Sequence, residues 1–314
     1  MVQTISQASM PIELAGRALR LGTRGSQLAL VQAALVVTRL REMYPSLIVD
    51  AHIVSTQGDR DKQTPLAIIG GQGVFVKDVH AGILTGAIDG AVHSAKDLTS
   101  TPPDGIALGA LLDRGDARDV LISAHPGGLA DLPPGARVGT SSRRRIVQLR
   151  RVRPDIVAVE LRGNIDTRMS KVTEGGQLDG AIIAAAGVER LGHQARIAEY
   201  LSVDDFVPAP AQAALGVDCR AEDAAMIELL GSISEPRVCA TVGAERAFLR
   251  TIGGGCRSPL AAHATLDGDR LTLRTMAASE DLERVAMLIE TTDILDGERL
   301  AADMAERLRA DVLS

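Results

Sequence analysis

Tryptophan is absent from this chain, and the other aromatics are scarce: three Phe and two Tyr among 314 residues. Single-stranded nucleic acid is usually held by stacking bases on aromatic rings, so this function class loses its platform. The cysteines, Cys219, Cys239 and Cys256, are odd in number and form no CxxC pair, which excludes a disulfide framework and a thiolate zinc site. Six histidines are scattered without an HExxH pattern, and no metal site is expected. No apolar run approaches the roughly 20 residues of a membrane helix. The first sixteen residues lack the basic start and apolar stretch of a signal peptide. The expectation is a cytoplasmic protein with a short leader and no membrane contact. Lysine is rare too, with only Lys62, Lys77, Lys96 and Lys171 against thirty arginines.

What is present is an ordinary apolar content of 46%, carried by Leu, Val, Ile and Ala, in a chain long enough for two or three domains. A net charge of −6 and a pI near 5.6 disfavour nonspecific binding to DNA or RNA. Against that acidic background, residues 137–168 hold nine arginines and only three acids. Guanidinium groups grip carboxylate or phosphate bidentately and do not lose their proton, so such clustering suits a small polyanionic ligand. A solvated basic helix face is the plainer reading of an arginine run.

Apolar runs of strand length alternate with helical patterns. Residues 19–23, 47–54 and 88–93 read as strands, with helices over 26–43 and 74–84 between them. The rhythm restarts with strands at 137–140, 156–160 and 178–184 and helices at 142–151 and 165–172. This alternation predicts two α/β domains with mostly parallel sheets. A strand at 213–220 and helices at 221–230 and 236–250 follow. Three antiparallel strands (260–265, 270–276, 283–289) and a helix at 297–312 then complete a small α+β domain.

Two strand-to-helix turns echo each other: Thr23-Arg24-Gly25-Ser26 and Thr140-Ser141-Ser142-Arg143. Each sets backbone N–H groups, hydroxyls and a guanidinium at a helix N-terminus, where the macrodipole favours an anion. Facing each other across a cleft, they would grip a ligand with several negative charges. Taken singly, Ser26 and Ser142 read more simply as N-caps. Asp97 comes directly after the third strand, in Val92-His93-Ser94-Ala95-Lys96-Asp97. The carboxyl ends of parallel strands are where ligands bind, which makes Asp97 a candidate catalytic acid, although an Asp there also forms turns. Cys256 follows three glycines and precedes Arg257. Such a loop leaves the sulfur accessible, and the neighbouring cation favours the nucleophilic thiolate. Gly70-Gly71-Gln72-Gly73 matches neither phosphate-loop fingerprint, so no nucleotide cofactor is indicated.

Together these segments closely resemble the porphobilinogen deaminase family from about Leu19 onward. The resemblance rests on Thr23-Arg24-Gly25-Ser26, Gly58-Asp59, Val92 to Asp97, Val138-Gly139-Thr140-Ser141-Ser142, Leu161-Arg162-Gly163-Asn164 and Gly254-Gly255-Cys256-Arg257-Ser258-Pro259, in the family's order. It implies two α/β lobes of the periplasmic-binding-protein type II kind around a cleft plus a small C-terminal α+β domain. The bounds are 18–112 with 210–231, 117–206, and 236–314. It implies a dipyrromethane cofactor, built from the substrate and attached to Cys256. Onto this primer four porphobilinogen molecules are joined before hydrolysis releases hydroxymethylbilane. By the same resemblance Asp97 is catalytic. Lys96, Ser26, Thr140, Ser141, Ser142, Arg144, Arg145, Arg162 and Gly163 bind the cofactor, and Arg24, Arg168, Arg190 and Gln212 bind substrate. A monomer and hinge motion between lobes are also implied. The chain departs from the family where Ala211 and Ala213 flank Gln212 in place of the usual glycines, and where Gln57 and Gln72 replace common cations.

Overall fold

The computed structural model describes residues 11–14, 16–55, 76–173, 176–253 and 258–312. The chain divides into two compact units, residues 1–113 with 214–239 and residues 114–213 with 240–314. It therefore crosses between them after Asp113, after Ala213 and after Cys239.

The first unit is built on strands β1 (Ala18–Thr23), β2 (Ile48–Ile53), β3 (Gly90–Ser94), β4 (Ile106–Leu112) and β10 (Leu215–Arg220), in the order β2-β1-β3-β10-β4. The first three are parallel, whereas β10 runs antiparallel to both its neighbours. Helix α1 (Gln27–Met43) presents Ala33, Val36, Val37 and Leu40 to one sheet face, where they meet Leu19, Leu21, Val49 and Val217. Helix α2 (Lys77–Leu84) covers the other face through Val79 and Ile83, which pack on Ile88, Ala91 and Ile106.

The second unit repeats the plan with β5 (Asp119–Ser123), β6 (Arg137–Gly139), β7 (Val157–Val159), β8 (Gly180–Ala184) and β9 (Glu199–Tyr200), ordered β7-β6-β8-β5-β9. Here β5 is the antiparallel strand beside β8. Helices α3 (Arg143–Val152) and α4 (Ile165–Thr173) and the short α5 (Ala185–Arg190) pack around this sheet. Two further helices, α6 (Ala224–Ile233) in the first unit and α7 (Pro236–Ile252), follow β10. The second unit also contains the antiparallel meander β11 (Leu260–Asp267), β12 (Arg270–Ala278) and β13 (Val285–Asp293), closed by helix α8 (Gly297–Val312). Ala244, Phe248, Leu271, Leu273, Met304 and Leu308 form a core of their own between helices and meander.

The fold class is the one expected, two α/β lobes with a smaller α+β portion. Four strands of each sheet run in one direction, as expected, and each sheet also admits one reversed strand, next to the edge strand. In the first unit that strand, β10, arrives from more than a hundred residues downstream. Strands β4, β5 and β9 and helix α5 are additional to the elements read from periodicity. Among the described residues no helix is long and apolar enough to cross a membrane.

Candidate active site

In the first unit, β1 ends at Thr23 and α1 begins at Gln27, with Ser26 as N-cap: its Oγ accepts from Ala29 N–H at 3.3 Å. Thr23 is buried and donates to the Ala29 carbonyl at 3.0 Å, which stitches the turn to the helix. Strand β3 ends in Ser94, and a single 3₁₀ turn, Ala95–Asp97, follows it. The turn is pinned by Ala95 N–H donating to the Ala214 carbonyl at 2.9 Å. These two strand ends line one cavity, open to solvent, whose walls include Arg24, Ser26, Gln32, His93, Ser94 and Asp97. Gln32 and Ser94 hold each other across it, Nε2 to Oγ at 2.8 Å. Asp97 and Lys96 are half-buried, and Arg24 likewise, so the described residues of the site combine cations, hydroxyls and a carboxylate at partial exposure.

The second unit assembles its predicted residues differently. Ser142 caps α3, its Oγ accepting from Arg145 N–H at 3.5 Å, while Thr140 Oγ1 accepts from Ser142 N–H at 3.2 Å. Ser141 both donates to the Leu161 carbonyl (2.8 Å) and accepts from Leu161 N–H (3.1 Å), fixing the Arg162-Gly163 loop beside the helix start. Arg144 and Arg145, only 4% and 6% exposed, turn inward. Arg144 Nη2 meets Asp119 Oδ2 at 2.8 Å and Arg145 Nη2 meets Oδ1 at 2.7 Å. Gln212 Nε2 donates to the same Oδ1 at 2.8 Å and to the Ala117 carbonyl. Burial alone would raise the Asp119 carboxyl, but the two guanidiniums and Gln212 hold it well below the usual carboxylate range. Asp119 was not singled out from the sequence; its signal is an acid opening an otherwise apolar strand, Asp119-Val-Leu-Ile-Ser.

Elsewhere in the second unit, Arg190 donates to the Ala213 carbonyl at 2.8 Å, Arg168 to the Gly163 carbonyl at 2.8 Å, and Arg162 to Glu160 at 2.7 Å. Gly163 has φ +114°, and a Cβ there would lie 2.7 Å from Thr167, so the loop requires glycine. Ala211 and Ala213 both take left-handed conformations, φ +62° and +74°. That geometry explains why glycine is usual there. Ala211 N–H is held at 2.6 Å by buried Glu245, which also accepts from Arg114 at 2.7 Å and Ala264 N–H at 2.7 Å. Burial favours a neutral Glu245, and Arg114 and His263 overcome it to keep the carboxyl ionised at low pH. Cys256, with Arg257, and the Gly58-Asp59 and Gly70 to Gly73 segments lie outside the described residues.

The order and spacing of these segments match two family models: the porphobilinogen deaminase dipyrromethane cofactor binding domain over residues 19–228, and the porphobilinogen deaminase C-terminal domain over 239–310. The chain belongs to the porphobilinogen deaminase family. A porphobilinogen deaminase of Syntrophobacter fumaroxidans is 46% identical over 269 residues, covering 86% of this chain and 87% of the relative. One from Geobacter metallireducens is 43% identical over 298 residues, covering 95% and 93%. Among solved structures, the second substrate binding domain of a putative amino acid ABC transporter from Streptococcus pneumoniae is similar at 10% identity and TM-score 0.43, over 74% of this chain and 94% of that one. The family's cofactor is a pair of linked pyrroles, and the donors present suit such a group. In the first unit the Ser26 hydroxyl, the Arg24 guanidinium and the Asp97 carboxylate all border one cavity.

Proposed function

We propose that the chain is a cytoplasmic, monomeric porphobilinogen deaminase. It deaminates porphobilinogen, joins four units head to tail, and releases hydroxymethylbilane. The observation that carries this reading is the cavity where Asp97, Arg24 and Ser26 meet at the carboxyl ends of β1 and β3. Dipyrromethane, held through a thioether to Cys256, supplies the free pyrrole α-carbon on which units are added. The three-domain division given above belongs to the same proposal, as does the absence of a nucleic-acid partner.

The chain's own residues do the rest. Porphobilinogen loses ammonia from its aminomethyl group and becomes a methylene pyrrolenine cation. The Asp97 carboxylate stabilises that positive charge electrostatically and accepts the proton lost after coupling. Lys96, Arg24, Arg162, Arg168 and Arg190, with Ser26, Thr140, Ser141 and Ser142, neutralise and orient acetate and propionate arms. Arg144 and Arg145 reach such arms by exchanging Asp119 for a ligand carboxylate. Asp119 therefore acts as the resident counterion that keeps both guanidiniums folded inward until a ligand competes.

Denatured intact mass before and after addition of porphobilinogen, with the modified peptide mapped, tests the proposal. The expected result is two linked pyrrole units on Cys256, growing by further pyrrole units with substrate, and no such adduct in Cys256→Ser. A chain that stays unmodified under conditions permitting primer assembly overturns the assignment and leaves a noncatalytic anion-binding protein.

A further inference from the structure

Beneath the first unit's cavity, three chemistry-bearing side chains from three elements converge. His80 projects from α2, His93 from β3 and Asp218 from β10. Strand register explains the meeting on the sheet face covered by α2. Gly216 lies opposite His93 and Asp218 opposite Ala91, so the acid sits diagonally across from the histidine, with no side chain on Gly216 between them. His80 Nε2 is 2.8 Å from Asp218 Oδ2 and His93 Nε2 is 3.5 Å from the same oxygen. The three donor atoms lie within 4.8 Å of one another, and all three residues are buried. Their rings stand edge to face, 6.0 Å between centroids. His93 Nε2 is buried without a hydrogen-bond partner. Leaving such an atom unsatisfied costs about 1–3 kcal/mol, so its retention calls for an explanation.

We propose that His80, His93 and Asp218 form a binding site for one divalent transition-metal cation of the zinc type. Two imidazoles and a carboxylate are the ligand set such ions take, with a fourth position left for water. Metal–ligand bonds of about 2.0–2.2 Å in tetrahedral geometry set ligand atoms about 3.3 Å apart. The two nitrogen–oxygen spacings, 2.8 Å and 3.5 Å, bracket that value, and the two imidazole nitrogens lie within 4.8 Å of each other. A cation at the centre gives His93 Nε2 the partner it lacks and compensates the buried Asp218 charge. His93 also lines the cavity that holds Asp97, which supplies an entry path. The ion would tie α2, β3 and the late-arriving β10 together. No sequence pattern announces the site, since its ligands are separated by as many as 138 residues.

The full-length, primer-loaded protein, stripped with a chelator, is titrated with Co²⁺. The expected spectrum is tetrahedral, saturates at one equivalent, shows no thiolate-to-metal charge transfer, and is bleached by Zn²⁺. Zn²⁺ should also raise the melting temperature. His80→Gln, His93→Gln and Asp218→Asn should each weaken binding by more than the roughly 10–100-fold typical of losing an outer partner. Because the ligands lie on three elements, a folding defect in one variant leaves the other two informative. Absence of the wild-type spectrum at one equivalent ends the proposal. So does a thiolate band, which places the ion on cysteine, or a spectrum unchanged in the folded variants.

Discussion

The two strand-to-helix turns that look alike in sequence, Thr23 to Ser26 and Thr140 to Arg145, do opposite things with their guanidiniums. In the first, Arg24 precedes the cap Ser26 and borders an open cavity beside Asp97. In the second, Arg144 and Arg145 follow the cap Ser142, lie within α3 itself, and are turned onto Asp119 in the interior. Position relative to the cap decides the outcome. A residue before the cap is outside the helix and faces what lies beyond the strand ends, whereas residues two and three places after it are committed to a helix face. The first turn thus leaves its guanidinium at a solvent-open cavity, and the second keeps its charges internally compensated.

The comparison breaks most severely at Asp97. Asp97→Ala should leave a folded protein with turnover reduced by about 10²–10⁴-fold, since it removes the one acid among the described residues that line the cavity. Steady-state rates with porphobilinogen, alongside an unchanged circular dichroism spectrum, decide it. Near-normal rates would remove Asp97 from the reaction and make the two turns functionally equal.

How much of this was legible beforehand differs between the two regions. The periodicity of 26–43 and 142–151 marked both helices, and the capping serines marked their starts. The location of Asp97 after a strand was likewise visible. Asp119 was not, because a single acid in an apolar run carries no period, and its meaning depends on Arg144, Arg145 and Gln212 folding against it. The reversed strand β10 was identified as a strand but not placed, since pairing partners more than a hundred residues apart leave no local trace. The same distance hid the His80, His93 and Asp218 group.

Asp119→Asn tests the closed region from the other side. It leaves two buried guanidiniums facing a neutral amide, and breaking a buried pair in this way costs about 3–5 kcal/mol. Urea unfolding should show that loss, while the Asp97 cavity keeps its architecture. A change within about 0.5 kcal/mol would mean that the Val207 carbonyl, which accepts from Arg144 Nη1 at 2.7 Å, and the Ile182 carbonyl, which accepts from Arg145 Nη1 at 3.0 Å, suffice for the two guanidiniums.

Acid should separate the regions more gently. Asp119 and Glu245 both have native pKa values depressed below their ordinary 3.8 and 4.5. The unfolded chain then binds more protons than the native one as pH falls through that range. Their stabilisation is complete above about pH 5 and is lost progressively as pH drops below about 4. Urea midpoints of the wild type should therefore decline with acidification more steeply than those of Asp119→Asn. Parallel curves would show that Asp119 is not a source of the acid sensitivity.

The smallest effect expected lies at the crossing between the units. Ala211 and Ala213 hold φ +62° and +74°, a region that costs an L-residue with a Cβ about 1–2 kcal/mol. Glycine removes that strain but gives back about 0.5–1 kcal/mol through a freer unfolded chain. Ala211→Gly should therefore stabilise by up to about 1 kcal/mol, because its backbone N–H is anchored on Glu245 whichever side chain is present. Ala213→Gly should gain less. Its methyl packs with Ala117 and Ala186, and that contact is forfeited. Urea midpoints of the two variants give the order directly. A larger gain at 213 than at 211 would show that the methyl cluster contributes little and that strain alone governs the crossing.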